Sequence, residues 1–175
     1  METQTEPLYF PSGDWFDEYE RAIRADEQYA RQAEGWGVDF DGDIVFEMTK
    51  MPIDDIDMDA LPASLREQLD QYVRGGAGGD TTGYALLRLE DGDCLGAGLV
   101  EDPDAVDHGF LLSATMEQWK ALLDREVGII DGLMSAKFDL DGDMQKILQY
   151  TDSAQRLTEI AASIDADYVD EEFDG

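Results

Sequence analysis

Three Asp-Gly-Asp triplets, starting at Asp41, Asp91 and Asp141, are the first places in this 175-residue chain where chemistry could reside. Carboxylates closely spaced around a glycine suit calcium, which takes oxygen ligands. An EF-hand loop, however, needs glycine at its sixth position and a bidentate glutamate at its twelfth. Counted from Asp39 those positions hold Ile44 and Lys50, and from Asp139 they hold Met144 and Tyr150. Neither loop supplies the ligands, and Asp next to Gly is what a tight turn requires. The triplets read as turns, with no metal site. Nucleophilic catalysis fares no better. His108 and Cys94 are the single histidine and cysteine. An activated Ser113 or Cys94 would need His108 beside it and a carboxylate to orient the ring, and nothing in the spacing supports that. The glycine-rich run 75–83 lacks the Gly-Lys-Ser/Thr ending of a phosphate loop and lies between elements in the reverse order. Gly96-Ala97-Gly98 lacks the third glycine and following helix of a dinucleotide site. No catalytic residue and no cofactor is expected.

What remains is apolar chemistry. Strand alternation and helical spacing put Phe46, Leu87, Leu99, Phe110, Trp119, Leu123, Met134, Phe138 and Ile147 toward one interior. Leu157 and Ile160 extend that interior along a terminal helix. Such a set either fills a core or lines a pocket for a hydrocarbon chain, with methionine as adaptable surface.

The elements that must hold these residues follow from periodicity. Trp15, Phe16, Tyr19, Ile23, Tyr29 and Ala33 fall at helical spacing, with Ser12 or Asp14 as cap and Gly35 and Gly37 as stop. Ile44, Phe46 and Met48 alternate as a strand with one buried face. Leu61 to Val73 reads as a short helix with Pro62 in its first turn, followed by a flexible stretch to Gly83. Tyr84–Glu90 and Cys94–Val100 flank Asp91-Gly92, a type I′ hairpin signal. Ala85, Leu87 and Leu89 are expected to share one face, as are Leu95, Ala97 and Leu99. A strand at Phe110 to Ser113, a helix around Trp119, a strand from Leu133 to Leu140 and two helices, Asp143 to Tyr150 and Ser153 to Ile164, complete the pattern. The expected organisation is a loose leader (1–13), a single domain (14–164) with an insertion at 49–83, and an acidic disordered tail (165–175).

Composition narrows the partners. Forty-two acids against twelve lysines and arginines leave a formal charge of −30, spread along the whole chain. Nucleic acid needs clustered cations, and so does an anionic membrane surface; neither is expected. No apolar run approaches the roughly 20 residues of a membrane-spanning helix, and the first residues are acidic rather than signal-like. A cytoplasmic protein is expected. Molar salt shortens the Debye length to about 3 Å and relieves repulsion between spaced carboxylates, so the charge points to a salt-loving organism with a saline cytoplasm, and a halophilic archaeal source is expected.

From Leu111 to Leu157 the order is specific. A tryptophan-bearing helix leads through a link containing Gly128 and Gly132 to a strand, a Gly142-Asp143 turn and a helix with apolar positions. This order resembles the sterol carrier protein type 2 family. The resemblance implies an α+β fold: a five-stranded, mostly antiparallel sheet with helices packed on one face around an apolar tunnel. It also implies a non-enzymatic carrier of a long-chain ligand, whether fatty acyl, isoprenoid or sterol-like lipid. The eleven apolar residues then become tunnel lining, and the helix from Ser153 to Ile164 a movable cover. The departure is the 49–83 insertion, where family members have a short turn. The alternative is an accessory or assembly protein that uses the same fold to contact an enzyme partner.

Overall fold

Alternation in the middle of the chain does resolve into a sheet, and the helices flank it in the expected order. The structure is a computed structural model and describes residues 9–10, 12–50, 58–61, 63, 66–67, 73–75, 81–101, 106–164 and 166–168. In chain order these form β1 (Tyr9–Phe10), α1 (Gly13–Arg24), α2 (Glu27–Gln32), β2 (Ile44–Thr49), β3 (Val73–Gly75), β4 (Thr81–Glu90), β5 (Asp93–Val100), β6 (Phe110–Thr115), α3 (Met116–Leu123), α4 (Ile129–Met134), β7 (Asp139–Asp141), α5 (Met144–Gln149), α6 (Thr151–Ser163) and β8 (Asp167–Tyr168).

Strand β2 is central. It pairs antiparallel with β4 (Ile44 opposite Leu87) and parallel with β6 (Ile44 opposite Phe110), while β7 adds antiparallel to β6. The remaining edge of β4 is shared end to end by β5 and the short β3, both antiparallel. The fold is therefore α+β, with a five-column, mostly antiparallel sheet and helices against one face. Register aligns Ile44, Phe46 and Met48 with Ala85 and Leu87 on one side and with Phe110, Leu112 and Ala114 on the other. These residues form the inward face, as period-two alternation requires.

The Asp91-Gly92 turn joins β4 to β5 with both residues at positive φ, 50° and 85°, the type I′ geometry whose twist matches the strands. One residue further on, the expectation fails. The register shifts between Arg88 and Leu89, so Cys94 faces Leu89 while Ala97 faces Leu87. A bulge inserts one extra residue and resets the alternation. Leu95, expected beside Ala97 and Leu99, is left 46% exposed.

Three further expectations are corrected. The N-terminal helix is two helices, because Asp26 caps a new start: its Oδ1 accepts from the Tyr29 N–H at 2.7 Å. The strand from Leu133 to Leu140 is instead the end of α4, a reversal and the short β7. Ala136 takes φ 61° at the reversal, and the Lys137 and Phe138 N–H groups both donate to the Gly132 carbonyl. A side chain at Gly132 would strike the Phe138 ring at 2.6 Å, so glycine is what lets the chain fold back here. Finally, leader and tail meet: Tyr9 and Phe10 pair in parallel with Asp167 and Tyr168, and the Tyr168 hydroxyl donates to Asp124 at 2.9 Å. Most of the helix expected over 61–73 and most of the insertion lie outside the described residues, although Val73–Gly75 and Thr81–Gly83 are strand.

Helix α6, expected as a movable cover, is held from several sides. It packs against α1, α2, α3, α4 and α5, buries Ile160 and Ala161, and accepts a hydrogen bond from the Tyr19 hydroxyl at the Leu157 carbonyl, 3.0 Å. Its Arg156 guanidinium grips Asp26 with contacts of 2.5, 3.1 and 3.3 Å, and so ties α6 to the cap of α2.

Candidate functional site

Between the inward face of the sheet and α6 lies a cavity of about 90 Å³. The sheet contributes Ile44, Phe46 and Met48 from β2, Phe110 and Leu112 from β6, and Leu140 from β7. Helix α1 brings Trp15, Phe16 and Tyr19; α3 brings Trp119, Leu122 and Leu123; α6 brings Ala154, Leu157, Thr158 and Ala161. Local rules aim these side chains. Ser12 accepts from the Trp15 N–H at 3.1 Å and starts α1 so that its Trp15/Phe16/Tyr19/Ile23 stripe turns inward. Thr115 does the same for α3, accepting from Gln118 at 3.2 Å. The rings interlock edge to face: Phe46 lies 5.4 Å from Trp119, and Trp119 lies 5.0 Å from Phe138, arrangements that suit aromatic quadrupoles.

Three polar groups of this lining are paired within the protein. Tyr19 donates to the Leu157 carbonyl, Trp119 Nε1 to the Glu47 carbonyl at 3.1 Å, and Thr158 to the Ala154 carbonyl at 3.1 Å. Burial, reinforced by Tyr29 and Cys94, holds the Tyr19 phenol well above its ordinary 10.0, so it stays a neutral donor. The interior thus offers an occupant chiefly dispersion contact and exclusion from water.

Of the eleven residues expected to line a tunnel, Phe46, Phe110, Trp119, Leu123, Ile147 and Leu157 meet at this cavity. Leu87 is fully buried in the core and Leu99 packs half-buried against it, both away from the cavity walls. Phe138 stands behind Trp119. Ile160 is buried on the neighbouring side of α6, where it lines an adjacent cleft. Met134 is 66% exposed, because the segment that carries it is a helix end rather than a strand. Among the lining residues outside that set are four aromatics, Phe10, Trp15, Phe16 and Tyr19. The clustering of four aromatics within so short a stretch was the available signal, but Phe10 fell in the supposed leader.

The residues considered for catalysis have other duties. Ser113 donates to Glu47 at 2.6 Å, His108 Nδ1 lies 3.0 Å from the Val106 carbonyl, and burial pushes the Cys94 thiol up to about 11. The Asp-Gly-Asp carboxylates serve turns and caps: Asp41 accepts from Asp43 N–H, Asp91 from Gly35 N–H and Asp143 from Gln145 N–H, at 2.8 to 2.9 Å.

No family model and no curated protein matches the sequence. Solved structures do. A crystal structure of sterol carrier protein 2 superposes with a TM-score of 0.64 at 20% identity, over 88% of this chain and 98% of that one. The fold is that of sterol carrier protein 2. The solution structure of a conserved hypothetical protein from Thermus thermophilus gives a TM-score of 0.65 at 19% identity, covering 95% and 96% of the two chains. At such identity the sterol-carrier likeness establishes the arrangement of strands and helices. Within it, the cavity lies between the sheet and the helical layer. Among the described residues no helix is long and apolar enough to cross a membrane.

Proposed function

We propose that this protein is a non-enzymatic carrier that holds a long-chain lipid, fatty acyl or isoprenoid in character, in the cavity beneath α6. The observation that carries the reading is an interior walled almost wholly by apolar and aromatic side chains, set in a sterol-carrier fold. At about 90 Å³ the space exceeds what one water needs but is smaller than the roughly 150 Å³ cavity that accepts benzene. A long chain needs more room than this, so it must spread the walls. Burying about ten methylenes returns roughly 8 kcal/mol, and that gain is what would hold the walls apart.

Mass spectrometry of organic extracts from protein purified in molar KCl tests the reading: stoichiometric long-chain lipid is the expected result. Added oleate should also shift Trp119 fluorescence, while acetate should not. A protein that comes out lipid-free, binds no chain and co-purifies with an enzyme would instead support the accessory role.

A further inference from the structure

The cavity has a polar neighbour. Leu122, Ile129 and Thr158 line the apolar cavity on one side and a cleft of about 570 Å³ on the other. The cleft brings together Asp26, Arg125, Arg156 and Glu159, two acids balanced by two arginines in a chain whose formal charge is −30. The arginines are not equivalent. Arg156 is already shared between Asp26 and Glu159. Arg125 makes no ion pair and no side-chain hydrogen bond among the described residues, so its donors remain open.

Arg125 also occupies an unusual backbone position. Helix α3 ends in a Schellman turn, in which the Glu126 N–H donates to the Ala121 carbonyl at 2.9 Å and the Arg125 N–H to the Leu122 carbonyl at 3.2 Å. The left-handed residue of that turn is ordinarily glycine; here it is Arg125 at φ 64°. Every bond of the turn is made by the backbone, so glycine would close it without strain. Nothing in the backbone of the turn asks for an arginine. The same short stretch carries the wall, with Leu122 on the last turn of α3 and Ile129 opening α4.

Resting on the carrier reading above, we propose that this cleft is the head-group site of the ligand. Arg125 takes an anionic head, a carboxylate on a long chain, and the chain passes between Leu122, Ile129 and Thr158 into the cavity. A guanidinium suits that head because its planar fork meets two oxygens at once and never loses its charge. Leu122 and Ile129, on either side of the turn, are buried, at 6% and 7% exposed, so the turn that binds the head must also shift to admit the chain.

The test compares oleate with oleyl alcohol by titration calorimetry, at the lowest KCl concentration that keeps the fold. Arg125→Gln and Arg125→Gly should each weaken oleate about tenfold, the scale of one charged hydrogen bond, and leave oleyl alcohol unchanged. Arg125→Gly should melt no lower than the parent, since glycine adopts the turn freely. Oleate bound equally by parent and variants would overturn the head-group site while leaving the carrier reading intact. Equal losses for both probes would overturn it too, by showing damage to the cavity itself. Acetate displacing oleate would make the cleft a small-anion site instead. A parent that binds neither probe would remove the carrier reading, and this inference with it.

Discussion

Ala161 sits on α6, 7% exposed, with its methyl group at the wall of the apolar cavity, and leucine there would extend into the empty space. An unfilled cavity destabilises a protein by about 24 cal/mol per Å³, so 90 Å³ corresponds to about 2 kcal/mol. That sets the upper bound on what Ala161→Leu can gain, and for a domain of this size it is a rise in Tm of about 4 to 8 °C. The same side chain would occupy the place of the ligand chain. Thermal melts followed by circular dichroism in molar KCl, alongside displacement of the fluorescent fatty acid cis-parinarate, report both effects. The expected result is a more stable protein that no longer binds the probe. A variant destabilised by the 1–3 kcal/mol of an overpacked core would mean that the cavity cannot accept added carbon. A stabilised variant that still binds cis-parinarate would place the ligand elsewhere.

Three further outcomes are expected. A chain ending at Ser153 should show no cooperative melt even in molar KCl, because it forfeits the burial of Leu157 and Ile160, roughly 2 to 5 kcal/mol each, from a total of about 5 to 15 kcal/mol; a folded, lipid-binding truncation would restore the cover role for α6. The Arg156 guanidinium holds the Asp26 carboxyl below its ordinary 3.8, so the pair's stabilisation is complete above that value and fades as pH falls through the lower folded one. Asp26→Asn, which keeps a capping oxygen, should therefore lower stability at pH 7 but cost progressively less in melts taken below pH 3.8. A salt titration should show the chain losing its fold in dilute buffer and regaining it in molar KCl, since −30 of formal charge is then screened over about 3 Å; an unchanged melt at low salt would show that other interactions offset the repulsion.

What was legible in the sequence was whatever short-range chemistry alone decides. Asp91-Gly92 dictates a hairpin wherever it lies between strands, Ser12 announces a helix start, and the inward residues of β2, β4 and β6 follow from parity. Parity is also where legibility ends. One bulge beside Leu89 moves Leu95 to the surface, and the only hint of the extra step is Gly96, since glycine inside a strand often marks a bulge. The apparent alternation of Met134, Ala136, Phe138 and Leu140 has the period of a strand, yet its first member ends a helix and its second reverses the chain. Tertiary contact decides this, through the close approach of Phe138 to Gly132, and periodicity carries no trace of it.

The site suffered from the same limit in a different form. Six lining residues sit on elements whose direction was read correctly, while Met134 was lost with its strand. The aromatic wall of Phe10, Trp15, Phe16 and Tyr19 depends on α1 folding back over the sheet and on β1 pairing with β8, a contact between residues near opposite ends of the chain. Such pairing places Phe10, which lines the cavity, beside Tyr168 at 6.3 Å. Arg125 shows the converse. Its backbone position is set by a Schellman turn that any helix end can form, and only the fold reveals that the turn faces a cleft sharing its wall with the apolar interior. Nothing in the sequence sets Arg125 apart, yet once placed it stands at a cleft that shares Leu122, Ile129 and Thr158 with the apolar cavity.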